Sequence, residues 1–253
     1  MHGGNVAESA STGTVISQLR NGLIVSCQAP ESSPLRRSSI IAALALAAER
    51  QGAVGVRVDG SRDIRAVAQA VSVPIIGIEK RHSDDSPVYI TPTLDSVRRV
   101  CRAGASIVAL DGTARGRPKG QSLADIIMAS HREFGFPIMA DVATLAEGLK
   151  AAELGADLIA TTLHGYEEET RGSDSPAFGL LKGLVRNTRL PVILEGRVRT
   201  PDHLRRAFEL GAHAVVVGTA ITGVEWLVRR FVEATPRMRH SEFEARQCRA
   251  RGL

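Results

Sequence analysis

The stretch LAEGLKAAELGADLIATT (Leu145–Thr162) carries the reading that decides the fold. Its first ten residues, Leu145–Leu154, repeat apolar positions at the helical period. Gly155-Ala156 follows, and a glycine readily takes the left-handed backbone that ends a helix. Leu158–Thr162 is then a short apolar run, the pattern of a strand buried on both faces.

Outward from this unit the same device recurs. Gly52-Ala53, Gly104-Ala105 and Gly211-Ala212 stand before similar apolar runs, while Pro74, Pro137 and Pro191 precede three alternate ones. Proline blocks helix continuation and favours extended backbone. The predicted strands are Leu23–Cys27, Val54–Val58, Ile75–Ile78, Ile107–Leu110, Ile138–Ala140, Leu158–Thr162, Val192–Leu194 and Ala214–Val217. Helical periodicity fills the gaps between them, as in Ile40–Arg50, Leu94–Ala103 and Leu204–Leu210. Alternating glycine and proline approaches imply four βαβα quarters. Eight parallel strands with no reversing break favour an α/β fold, the (β/α)8 TIM barrel, over an open doubly wound sheet.

The 253 residues suit one such domain. Residues 21–235 form the expected barrel, 1–20 a flexible Ser/Gly/Thr-rich leader ending in a short helix near Val15–Leu19, and 236–253 a basic tail. Five arginines and two glutamates in that tail hold over half of the net charge of +5. A solvated tail explains this without nucleic acid, because no basic stripe is interleaved with aromatics. No apolar run is long enough to cross a bilayer, and no secretory signal is visible. Three widely spaced cysteines, Cys27, Cys101 and Cys248, fit neither a disulfide framework nor a zinc site and point to a reducing cytoplasm. Cys27 reads as a small buried filler rather than a nucleophile.

Barrel enzymes place their chemistry at the C-terminal ends of the strands. Here those ends present Ser26, Cys27 and Gln28; Arg57 and Asp59; Glu79, Lys80 and Arg81; Asp111; Asp141; Thr161 and Thr162; Glu195, Gly196 and Arg197; Gly218 and Thr219. Any one of these could be a solvated loop residue, but the set reads as a site. The glycines after strands seven and eight, with Thr219, suit a phosphate cradle. Lys80 and Glu195 are candidates for acid–base work; a Schiff base at Lys80, or a lysine that merely balances an acidic rim, are the alternatives. Scattered histidines give no metal-ligand spacing. Asp111 and Asp141 suit either a cation or hydroxyl groups. The last helix carries Val224, Trp226, Leu227, Phe231 and Val232, an apolar face expected to pack on the barrel, with a homodimer contact or a swapped helix as alternatives.

Eight segments together resemble the bacterial N-acetylmannosamine-6-phosphate 2-epimerases: GLIVSCQA (Gly22–Ala29), GAVGVRVDG, PIIGIEKR, VYITPT, ALDGT, MADVATLAEGLKAAELGAD, PVILEGRVRTPD and AVVVGTAIT. The resemblance spans the barrel in order. It implies conversion of an amino-sugar phosphate by proton removal and return at carbon 2, without metal or redox cofactor. It also implies acid–base roles for Lys80 and Glu195, sugar contacts for Gln28, Arg57 and Asp141, and phosphate contacts for Gly196, Gly218 and Thr219. Two departures stand out. Gly223 occupies a position where the family often has arginine, so the basic phosphate contact must come from elsewhere, with Arg197 a candidate. LHGYEEET (Leu163–Thr170) replaces the more usual LSGY. The alternatives kept open are a thiazole-synthase-like or pentose-phosphate-epimerase-like barrel, or a non-catalytic sugar-phosphate sensor acting through the tail.

Overall fold

A computed structural model describes residues 12–167, 170–172 and 174–235. Eight parallel strands close into a barrel in sequence order, β8 pairing back onto β1 with Gly22 opposite Ala214. The strands are β1 (Gly22–Cys27), β2 (Gly55–Asp59), β3 (Ile75–Ile78), β4 (Ile107–Asp111), β5 (Ile138–Asp141), β6 (Leu158–Ala160), β7 (Val192–Glu195) and β8 (Ala214–Val217). Strand ends differ from expectation by one or two residues, and β6 stops at Ala160 because Thr161 and Thr162 already enter a turn.

The helices are α1 (Thr12–Gln18), α2 (Ser38–Arg50), α3 (Ser61–Ala68), α4 (Leu94–Ala103) and α5 (Leu123–Phe134). After them come α6 (Leu145–Glu153), α7 (Phe178–Asn187), α8 (Pro201–Glu209), the single turn α9 (Thr219–Thr222) and α10 (Val224–Glu233). Local sequence sets several boundaries. Thr144 accepts from the Glu147 amide while Glu147 accepts from the Thr144 amide, a capping box that starts α6. Gly104 ends α4 with φ of 106°.

The core has two layers that follow the alternation of side chains along each strand. Val25, Val56, Val58, Val108, Leu110, Ile159, Val215 and Val217 pack outward against the helices. Ile24, Ile76, Ile78, Ile107, Ala109, Met139, Leu158, Ala160, Ile193, Ala214 and Val216 fill the barrel interior.

The short helix expected at the end of the leader, near Val15–Leu19, falls on α1. Residues 1–11 lie outside the described residues, but α1 closes the barrel floor, with Leu19 fully buried in the inner layer. Gly55 explains the fit, since a Cβ there would stand 2.8 Å from Leu19 Cδ2. A hydrogen bond between His213 Nε2 and the Ile16 carbonyl, 2.9 Å, ties α1 to the rim of β8. The last helix departs from its expected packing. No residue of α10 is buried, and Val224, Val228 and Phe231 lie exposed along one face. The basic tail lies outside the described residues. Among the described residues no helix is long and apolar enough to cross a membrane.

Candidate active site

The inward parity of each strand runs from apolar residues at mid-barrel to polar ones at the C-terminal mouth. Ile24 is followed two residues on by Ser26, Met139 by Asp141, and Ile193 by Glu195. On β3 the series Ile76, Ile78 continues to Lys80 just past the strand. On β2 it is Gly55, Arg57, Asp59, which puts a guanidinium inside the barrel. A cavity of about 1170 Å³ opens there, lined among others by Gln28, Arg57, Lys80, Thr162, Glu195 and Gly218.

Arg57 is the hub. Its Nη2 donates to Asp141 Oδ2 at 2.5 Å, and its Nη1 to Asp141 Oδ1 at 3.1 Å and Glu195 Oε2 at 2.6 Å. Burial opposes its charge, but Asp141 and then Glu195 more than offset that cost and hold its pKa above the usual arginine range. Thr162 Oγ1 donates to Asp141 Oδ1 at 2.6 Å, completing that carboxylate. A buried ion pair is tolerable only with such full hydrogen bonding.

Two of the expected sugar contacts, Asp141 and Arg57, lie within this network. Asp141 is fully buried behind the residues that line the cavity, with its carboxylate held by Arg57 and Thr162. Arg57 does line the cavity, but both of its terminal nitrogens are turned toward carboxylates.

Glu195 faces the cavity with its carboxyl pushed above the usual range by burial, a shift that Arg57 opposes and Asp141 reinforces. Its backbone is fixed at both polar atoms by Thr161 Oγ1, which accepts from its amide at 3.1 Å and donates to its carbonyl at 2.9 Å.

Lys80 lies across the mouth. Its amide donates to Asp59 Oδ1 at 2.8 Å, and a short antiparallel bridge to Ile90 pins the segment. Its Nζ donates to Gln28 Oε1 at 2.6 Å, and Gln28 Nε2 donates to Ser26 Oγ at 2.9 Å. The residue as a whole is exposed, yet its ammonium is drawn in among the cavity walls. That loss of hydration lowers its pKa; Asp59 opposes the shift and the Arg57 charge adds to it.

The glycine loops after β7 and β8 border the same cavity. Gly196 has φ of 105° and Arg197 has φ of 57°, a region that costs a non-glycine residue energy. Gly218 caps the single turn α9, and Thr219 lies exposed at its start. Arg197 also borders the cavity. Its Nη1 donates to the His164 carbonyl at 2.7 Å and its Nη2 to the Gly165 carbonyl at 2.9 Å, with the guanidinium 4.4 Å from the Tyr166 ring centre. It buttresses the loop after β6, where Gly165 leaves room that a Cβ would fill. The departure LHGY is thus part of an arginine seat.

Asp111 turns away from the cavity to Arg115, 2.5 Å, and Thr113. Cys27 is buried and its thiol is pushed up to about 12, as suits a packing residue. Among the described residues no group of three or more His, Cys, Asp or Glu side chains is arranged to hold a metal ion. Tyr89, Tyr166, Arg199 and Arg229 also line the cavity and were not singled out in the sequence, and Trp226, read there as a packing residue, lines it too. They sit on loops and on α10, where no strand parity points to them.

Fold and mouth together define a (β/α)8-barrel enzyme with acid–base groups at its strand ends. Residues 41–237 match the family model described as "Putative N-acetylmannosamine-6-phosphate epimerase". A Cutibacterium acnes protein described as a 2-epimerase of that family is 50% identical over 216 residues, covering 85% of this chain and 93% of its own. One from Listeria monocytogenes is 45% identical over 221 residues, covering 86% and 93%. The solved N-acetylmannosamine-6-phosphate 2-epimerase of Clostridium perfringens superposes with a TM-score of 0.85 at 39% identity, covering 93% of this chain and 99% of that one. The chain belongs to the N-acetylmannosamine-6-phosphate epimerase family.

Proposed function

We propose that this chain interconverts N-acetylmannosamine 6-phosphate and N-acetylglucosamine 6-phosphate by moving a proton at carbon 2. The observation that carries the reading is Lys80: an amine with a lowered pKa, held by Gln28, in one cavity with Glu195 and the glycine loops. In the open-chain aldehyde the carbon 2 hydrogen lies beside a carbonyl, so its removal gives a stabilised enolate. Lys80, neutral, takes that proton. Glu195, whose carboxyl burial pushes above its ordinary range, returns one from its acid form on the opposite face and inverts the centre. Arg57 and Asp141 hold Glu195 in place, and the backbone amides at Gly196, Gly218 and Thr219 anchor the phosphate. The chemistry needs neither a metal nor a redox cofactor.

The test is incubation with N-acetylmannosamine 6-phosphate in deuterated water, following carbon 2 by proton NMR. The gluco epimer carrying deuterium at carbon 2 is the expected result. No turnover and no exchange in a folded sample sinks the reading and favours a sugar-phosphate sensor.

A further inference from the structure

The phosphate end of the cavity has an unusual charge arrangement. Gly223 closes α9, its amide donating to the Thr219 carbonyl at 3.1 Å. A Cβ at position 223 would stand 2.6 Å from that carbonyl oxygen and 3.1 Å from Thr219 Cα, so no side chain fits without moving the loop itself. No cation can come from this position. Nor is one ready among the inner residues: Arg57 is paired with Asp141 and hydrogen-bonded to Glu195, and Arg197 is engaged with two carbonyls. A phosphate dianion still requires positive charge, and arginine matches its oxygens best.

Two more arginines border the cavity, Arg199 from the loop after β7 and Arg229 from α10. Arg199 Nη2 donates to Asp174 Oδ1 at 2.9 Å, and its guanidinium lies 5.8 Å from the Trp226 ring centre. Asp174 is 86% exposed, so water screens the pair and the bond is easily exchanged. The Arg199 hydrogen bond holds the Asp174 carboxyl below its usual range, and the charges of Arg197 and Arg230 add to that effect. An exposed carboxylate thus sits where the fields of three guanidinium groups overlap. It is an anionic partner for Arg199 at the border of the cavity.

We propose that Arg199 and Arg229 form the cationic wall for the substrate phosphate, and that Arg199 exchanges Asp174 for that phosphate when the sugar binds. The proposal rests on the sugar-phosphate reading above, and it names specificity residues distinct from the proton-transfer pair.

Inorganic phosphate alone is the first probe, by calorimetry, on the parent chain and on Arg199→Gln, Arg229→Gln and Asp174→Asn. Steady-state kinetics with the sugar phosphate follow. Each arginine variant is expected to weaken phosphate binding and raise KM by roughly 10- to 100-fold, the loss of one charge-assisted hydrogen-bonded contact, with kcat near the parent value. Asp174→Asn is expected to shift both the other way, because Arg199 then has no competitor. A purely structural role for these residues would not produce that opposite sign. Unchanged phosphate affinity in both arginine variants overturns the wall, and weaker or unchanged binding in Asp174→Asn overturns the exchange. Phosphate binding that falls as expected in a chain that never epimerises keeps the wall and removes the epimerase reading. Active enzyme with phosphate affinity indifferent to both arginines does the reverse.

Discussion

Lys80 stands one inward position beyond the last apolar residue of β3, with its amide tied to Asp59 and its Nζ to Gln28. Backbone and amine are therefore both held in place at the mouth. Replacing Lys80 with methionine keeps the length of the stem and removes the base. The expected cost is roughly 10²- to 10⁴-fold in kcat, with solvent exchange at carbon 2 lost to the same degree; a folded Lys80→Met chain that still exchanges that hydrogen would place the base elsewhere. In the proposed mechanism Glu195 supplies the second half of the pH dependence. Turnover in this direction needs the amine neutral and the carboxyl protonated, so the parent enzyme is expected to lose rate at both extremes of pH. In Glu195→Gln the exchange of the carbon 2 hydrogen depends on Lys80 alone. Its rate should rise with pH and level off below the range where a free lysine titrates, because burial lowers the Lys80 pKa. A rate that falls with rising pH in that variant contradicts the assignment.

At the scale of elements, strand parity explains both why the barrel closes and why the site lies where it does. The inward residues that fill the interior and those that line the mouth belong to the same alternating series, so a sequence that spells one strand also presents its strand-end side chain. The repeat of glycine and proline approaches made this legible without coordinates. Partnership was not legible. Arg57 and Asp141 are 84 residues apart, and nothing local says that one strand-end carboxylate will face the ligand while another will turn to a guanidinium. How the end of the leader packs was not legible for a similar reason. Its Ser/Gly/Thr-rich composition suggests a loose segment, and only the floor of the closed barrel, where Gly55 makes room for Leu19, gives α1 a place to pack. Leu19→Ala is accordingly expected to destabilise the chain by about 2–5 kcal/mol in denaturant titration, the cost of a cavity in a packed core. Activity of the folded fraction should persist, since the floor is at the far end from the strand termini that carry the chemistry. A change below about 0.5 kcal/mol would show that α1 does not seal the barrel.

Over the whole molecule, charge and chemistry are separated along the chain. The cavity residues lie between Ser26 and Val232, and the family match ends at residue 237. Much of the excess positive charge comes later, with Arg239, Arg246, Arg249 and Arg251 set against Glu242 and Glu244. A catalytic unit that is complete within the barrel has no use for that charge, whereas a sensor working through a nucleic acid or an acidic protein would depend on it. Ending the chain at Arg237 separates the two cases. The shortened enzyme is expected to keep kcat/KM within about twofold of the parent, the scale of a surface change that touches no buried group. Measured at low and high salt, that ratio should also stay constant, since a tail that steered the anionic substrate to the cavity would make the parent alone sensitive to ionic strength. A loss well beyond twofold at low salt that vanishes at high salt would instead give the tail a part in capturing substrate. A loss at both would extend the catalytic unit past the boundary drawn here.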